Sequence, residues 1–160
     1  MKPMNLFLMA VLCLPVATAF AESTWDRPTP ALEKPVEMTV HRSPTCGCCG
    51  KWIEHMEKQG FVVKDIKEGD MDAIKRRVGL PEALESCHTA EVGGYVIEGH
   101  VPAADVKKIL RTRPKLLGLS APGMPAGSPG MEMGGKKDRF AVIAFDKQGN
   151  ADKFSEYSDY

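Results

Sequence analysis

From Val36 to His41 apolar and polar side chains alternate, the period of a half-buried strand, and Ser43-Pro44-Thr45 stops that pattern. Apolar positions then recur at helical spacing through Cys49, Trp52, Ile53 and Met56, which predicts a helix from Cys48 to Gln59 closed by Gly60, with Trp52 and Met56 in the core. Phe61 to Ile66 is short and rich in branched residues and reads as a second strand. Asp70 can cap a helix whose Met71, Ile74 and Val78 share a face, and Gly79-Leu80-Pro81 ends it before a short turn toward Leu84. Thr89–Val92 and Tyr95–Glu98 flank Gly93-Gly94 as a hairpin. Pro102 opens a helix with Val106, Ile109 and Leu110 on one stripe, and Pro114 closes it. Residues 122–135 hold Gly, Pro and Met without apolar periodicity, a loop with little evident core. Ala141–Phe145 and Ala151–Phe154 form a terminal hairpin.

This order of elements, strand-helix-strand, then helix, hairpin and helix, matches the α/β thioredoxin-like arrangement, a central mixed sheet flanked by helices. In that arrangement the first strand-to-helix junction faces the loop leading into the hairpin, so Cys87-His88-Thr89 is expected across a cleft from Cys46. The proline usual in that loop is absent, and Thr89 stands in its place.

The N-terminal stretch changes the picture of compartment. Lys2, an apolar run from Leu6 to Ala17 and Ala19-Phe20-Ala21 read as a secretory signal peptide over residues 1–21, too short for a membrane span. An extended leader over 22–35, carrying Pro28, Pro30 and Pro35 with Trp25 able to dock, joins it to a single domain over 36–160. The expected location is periplasmic, with no stable membrane insertion after cleavage. Lysine and arginine together number 21, as do aspartate and glutamate, and loss of Lys2 leaves a formal charge of −1. No global field recruits nucleic acid or an anionic surface. Lys75-Arg76-Arg77, Lys107-Lys108 and Lys136-Lys137 read as solvated faces.

Chemistry concentrates in cysteine. Cys46, Cys48 and Cys49 fall within four residues, and outside the signal peptide only Cys87 joins them, since Cys13 lies in the apolar run. Four cysteines in an oxidising compartment ordinarily suggest disulfides. Here a Cys48–Cys49 bridge would close a strained ring, and a bridge within Cys46 to Cys49 closes so short a loop that little chain entropy is removed. At a helix N-terminus, unpaired amides and partial positive charge favour thiolates, the form that acts as nucleophile or metal ligand. Gly47 leaves room for close approach of an ion, and Gly50 keeps the next turn open.

The segments Ser43-Pro44-Thr45-Cys46-Gly47-Cys48-Cys49-Gly50-Lys51-Trp52, Ser86-Cys87-His88-Thr89-Ala90, Gly94-Tyr95-Val96-Ile97-Glu98-Gly99-His100-Val101-Pro102 and Pro122-Gly123-Met124-Pro125, with Gly127 to Gly134 following, resemble the CopG family of exported copper-resistance proteins. The resemblance runs from about Thr39 to Phe145. It implies a thioredoxin-like fold, several copper ions held by the cysteines, and a role in copper tolerance outside the cytoplasm. Copper ions and other periplasmic copper-handling proteins are the partners expected.

Thiolates prefer soft Cu(I), and bridging sulfurs let few ligands hold several ions, so the reading is a polynuclear Cu(I) cluster on Cys46, Cys48, Cys49 and Cys87. Zinc is the rival metal, although its usual ligand spacing is two separated pairs. His88 adjoins a ligand and is a secondary candidate; His41 ranks below it, as does His100, which suits a turn orienting the next helix, while His55 is expected to be exposed. Met124, Met131 and Met133 can cover the cluster, pass copper to it, or simply lid the cleft. The alternative class is a thiol-disulfide oxidoreductase using Cys46 and Cys49, which have the redox Cys-x-x-Cys spacing but leave Cys48 without a role.

Overall fold

The computed structural model describes residues 23–160; the signal peptide expected over 1–21 lies outside the described residues. Seven strands form one mixed sheet, β1 (Val36–Arg42), β2 (Phe61–Lys67), β3 (His88–Val92), β4 (Tyr95–Gly99), β5 (Gly118–Ala121), β6 (Phe140–Phe145) and β7 (Ala151–Tyr157), in the order β2-β1-β3-β4-β5-β6-β7. Strands β1 and β2 are parallel, as are β4 and β5, and the other neighbours are antiparallel. The helices are α1 (Gly47–Lys58), α2 (Met71–Val78) and α3 (Ala103–Thr112). Among the described residues no helix is long and apolar enough to cross a membrane.

Side-chain alternation sorts the helices onto the two faces. Met38, Val40, Ala90, Val92, Ile97, Leu119 and Val142 point to one face and pack with Trp52 and Met56 of α1 and Val106 and Ile109 of α3. Val96 and Phe145 point the other way, with Leu80, Leu84 and Val78 at the end of α2. The expected elements are present with boundaries moved by a residue or two, except that β7 runs on past Phe154 to Tyr157: Asp70 caps α2 by accepting from the Ala73 amide, Gly79 ends it in the left-handed region, and Pro102 precedes α3.

Strand β5 was not anticipated: it is four residues long, and its Gly118 lies so close to β4 that a Cβ would overlap the Val96 carbonyl, so apolar periodicity carries no trace of it. The leader is packed, with Trp25 docked. Trp25 sits among Phe140, Tyr157 and Tyr160 and donates Nε1–H to the Gly127 carbonyl at 2.7 Å. Gln59 donates to the Trp25 and Arg27 carbonyls and accepts from Thr29, and Lys58 pairs with Asp26.

Candidate metal centre

Strand β1 ends at Arg42, whose guanidinium grips Asp65 on β2 and donates to the Cys46 carbonyl at 3.1 Å. The Cys46 amide closes a turn back to the Ser43 carbonyl, and Cys46 then sits at the N-cap of α1 with no acidic residue in the helix's first turn. The cysteines are therefore presented on the positive end of the helix dipole, where a thiolate is stabilised. A Cβ at Gly47 or Gly50 would meet nothing, so the protein's own packing does not demand glycine there, and open space remains beside the sulfurs.

Cys87 arrives from the turn before β3. Its Sγ and those of Cys46, Cys48 and Cys49 all lie within 4.8 Å of one another. Cys48 Sγ is 3.5 Å from Cys46 Sγ, and Cys49 Sγ is 3.7 Å from the Cys87 carbonyl oxygen. Cys46 and Cys49 are joined as a disulfide, while Cys48 and Cys87 are free. The bond is where entropy gave least reason for it. Its cause is local: one helical turn brings the two Cα atoms to 5.5 Å, inside bridging range. Two of the four sulfurs become thiolate donors only after two-electron reduction.

A second donor set shares Cys87. Its Sγ lies 3.0 Å from His100 Nε2 and 3.3 Å from His88 Nδ1, and the three donor atoms are mutually within 4.8 Å. His100 Nδ1 donates to the Pro129 carbonyl at 2.8 Å, which leaves Nε2 bare and aimed at the sulfur. A backbone carbonyl on the far nitrogen is the arrangement that orients a metal-binding imidazole. Burial pushes both imidazoles below their ordinary values, so they are neutral donors, and burial, with Cys48 beside it, pushes the Cys87 thiol up to about 12. His88 also packs against Trp52, with ring centroids 4.4 Å apart and the planes tilted by 45°.

His100, ranked below His88 as a candidate ligand and suited to a turn, is fully buried and touches Cys87. His55, expected to be exposed, is buried because the leader and the start of α3 cover it, and its Nε2 accepts the Ala103 amide. Both ring nitrogens of His41 face carboxylates, Glu68 and Glu91, so it stays outside the site.

The methionine loop is better anchored than its composition suggested. Gly130, with φ +82°, lies against the backbone of Cys48 and Trp52, and Ser128 is fully buried. Gly123 bridges Ser86. Met124 is thus one residue from the contact with the Cys87 turn, and Met131 one residue from the contact with the Cys48 turn. Met124 and Met133 are each 57% exposed, and Met131 is half-buried.

A family described as a protein of unknown function, DUF411, matches residues 84–131, the stretch carrying Cys87, His88, His100 and Met131. No curated protein matches. A solved structure titled copper resistance protein copG, form 2, is 47% identical over 78% of this chain and the whole of its own, with a TM-score of 0.75. Form 1 is 48% identical over 78% of this chain and 98% of its own, with a TM-score of 0.74. With a cysteine cluster able to bind metal at the junction of β1 and α1, and near-half identity along the full length of those structures, the chain belongs to the family of CopG copper resistance proteins.

Proposed function

We propose that the protein binds several Cu(I) ions in a thiolate cluster formed by Cys46, Cys48, Cys49 and Cys87, and serves copper resistance in the periplasm. The observation that carries this is the convergence of four sulfurs within 4.8 Å, with two neutral imidazoles meeting at the same Cys87. Four thiolates balance four monovalent ions, and a sulfur shared between ions suits Cu(I) better than one closed tetrahedron. The copper resistance of the related proteins supports the choice of metal. The signal-peptide pattern over residues 1–21 supports export. Loading begins from the reduced protein: an external dithiol passes two electrons and two protons to the Cys46–Cys49 disulfide, becoming a disulfide itself and leaving two thiols, and each thiol releases its proton when it takes a metal.

The disulfide itself favours a second reading, thiol–disulfide exchange through Cys46 and Cys49. Metal analysis of protein purified anaerobically with copper, run beside an insulin-reduction assay of the metal-free protein, separates the two. More than one Cu(I) per reduced chain, lowered by each single Cys→Ser change, is expected. Unchanged stoichiometry in Cys87→Ser removes that residue from the cluster, and rapid insulin reduction without copper retention favours exchange.

A further inference from the structure

Beneath the Cys87 turn, on the α2 side of the sheet, lies a buried ion pair that the thiolate reading does not use. Glu98 of β4 is fully buried and Lys75 of α2 is 5% exposed. Glu98 Oε1 accepts from the Lys75 ammonium and from the Ser86 amide at 2.6 Å, and Oε2 accepts the Thr89 hydroxyl at 2.6 Å. Lys75 Nζ also donates to the Ser86 carbonyl at 2.9 Å. One ion pair therefore holds both backbone polar groups of the residue immediately before Cys87. Gly99 brings β4 against the same turn, where a Cβ would lie 2.6 Å from the Cβ of Ser86.

A pair this deep does not explain itself by stability, because desolvating two charges offsets most of their attraction, and apolar pairs of similar volume often serve as well or better. It does provide direction: an ammonium and a carboxylate in low dielectric restrain the groups bonded to them closely. Cys87 needs such restraint. It lies outside the helix that fixes the other three cysteines, one residue before β3, and its sulfur must face them and His100 together.

We propose that Lys75 and Glu98 are positioning residues that lock the Ser86–Cys87 backbone so that the Cys87 sulfur stays turned into the metal centre. This rests on the reading of Cys87 as a ligand. The pair touches no donor sulfur; it acts through Ser86.

The test uses the full chain, reduced and metal-free, and reads the alkylation rate of Cys87 relative to Cys48 by mass spectrometry, beside retention of Cu(I) against a chelator. The double variant Lys75→Met/Glu98→Leu removes both charges and leaves neither unpaired. It leaves the Ser86 amide and the Thr89 hydroxyl without their acceptor, so it is expected to melt somewhat lower than wild type while staying folded, to alkylate Cys87 about tenfold faster relative to Cys48, the scale of losing hydrogen bonds to a charged group, and to retain less copper. Glu98→Gln keeps an acceptor for the Ser86 amide and the Lys75 ammonium and is expected to hold the Cys87 alkylation ratio near wild type, at a cost in stability from the lysine charge left uncompensated, a rescue that a merely space-filling role would not give. If the double variant does not fold, Lys75→Met, which removes the donor to the Ser86 carbonyl and to Glu98 Oε1 but leaves Glu98 its bonds from the Ser86 amide and the Thr89 hydroxyl, is read the same way. A folded variant with unchanged Cys87 reactivity overturns the proposal. Equal copper retention by wild type and Cys87→Ser would instead overturn the ligand reading, while the alkylation ratio still decides whether the pair positions the residue.

Discussion

Replacing Gly130 with alanine tests whether the methionine loop is fastened to the helix that carries the cysteines. The backbone at Gly130 has φ +82°, where an L side chain costs about 1–2 kcal/mol. The new Cβ would stand 2.6 Å from the Trp52 amide nitrogen and 2.9 Å from the Cys48 carbonyl oxygen. Both are backbone atoms of a helix and cannot swing aside, so overpacking adds about 1–3 kcal/mol. The combined strain, about 2–5 kcal/mol, is relieved most cheaply if the loop lifts from α1. Lifting breaks the His100–Pro129 bond, which holds the imidazole toward Cys87, and pulls on the Trp25–Gly127 bond. Chemical denaturation of the reduced, metal-free variant should show a loss of stability, and stopped-flow transfer of Cu(I) to a chelator should be faster than from wild type. An unchanged denaturation midpoint together with an unchanged transfer rate would refute the fastening.

The remaining predictions address acid stability, the loop sulfurs and metal choice. Burial lowers the His55 pKa to about 4 in the folded chain against 6.5 unfolded, so the unfolded state binds the extra proton first; stability is full above pH 6.5, falls as pH drops toward 4 by up to about 3 kcal/mol, and falls no further on this account below that. Denaturant titrations at pH 7 and pH 5 should therefore differ by about 2 kcal/mol from this group, and His55→Gln should remove that difference. Met131→Leu with Met133→Leu keeps apolar volume while deleting two thioethers, and is expected to preserve copper stoichiometry while changing the rate of exchange with a chelator; loss of about one ion per chain would make these sulfurs ligands. In competition under reducing conditions at equal free concentration Cu(I) should displace zinc, and the reverse result would make the site a zinc centre.

Much of the candidate site was legible because three of its cysteines are local. Cys46, Cys48 and Cys49 share one helical turn, so their proximity follows from three residues of chain. Cys87 was placed by fold order, and the structure brings it to the other three. His100 was ranked below His88 although a signal for it existed. The Gly93-Gly94 turn pairs Val92 with Tyr95 and Thr89 with Glu98, and carrying that register two residues further sets Cys87 opposite His100. His55 was misjudged because its cover comes from the start of α3 and from a leader whose docking depends on Gln59, Trp25 and the C-terminal aromatic residues, distant segments with no pattern in common.

Sequence alone settled what depends on short-range periodicity and residue chemistry: helices and strands with strong apolar repeats, the two-glycine hairpin, the caps at Asp70 and Gly79, the thiol-rich motif and the family resemblance. Tertiary structure alone decided the path of β5, the closeness of the methionine loop to α1, the neutral imidazoles at Cys87 and the buried Lys75–Glu98 pair. A lysine beside two arginines reads as a solvated face, since charge pattern carries no information about burial. Only the packing of α2 against the sheet brings that one cation to a carboxylate 23 residues away, where desolvation is offset by a partner the local sequence does not contain.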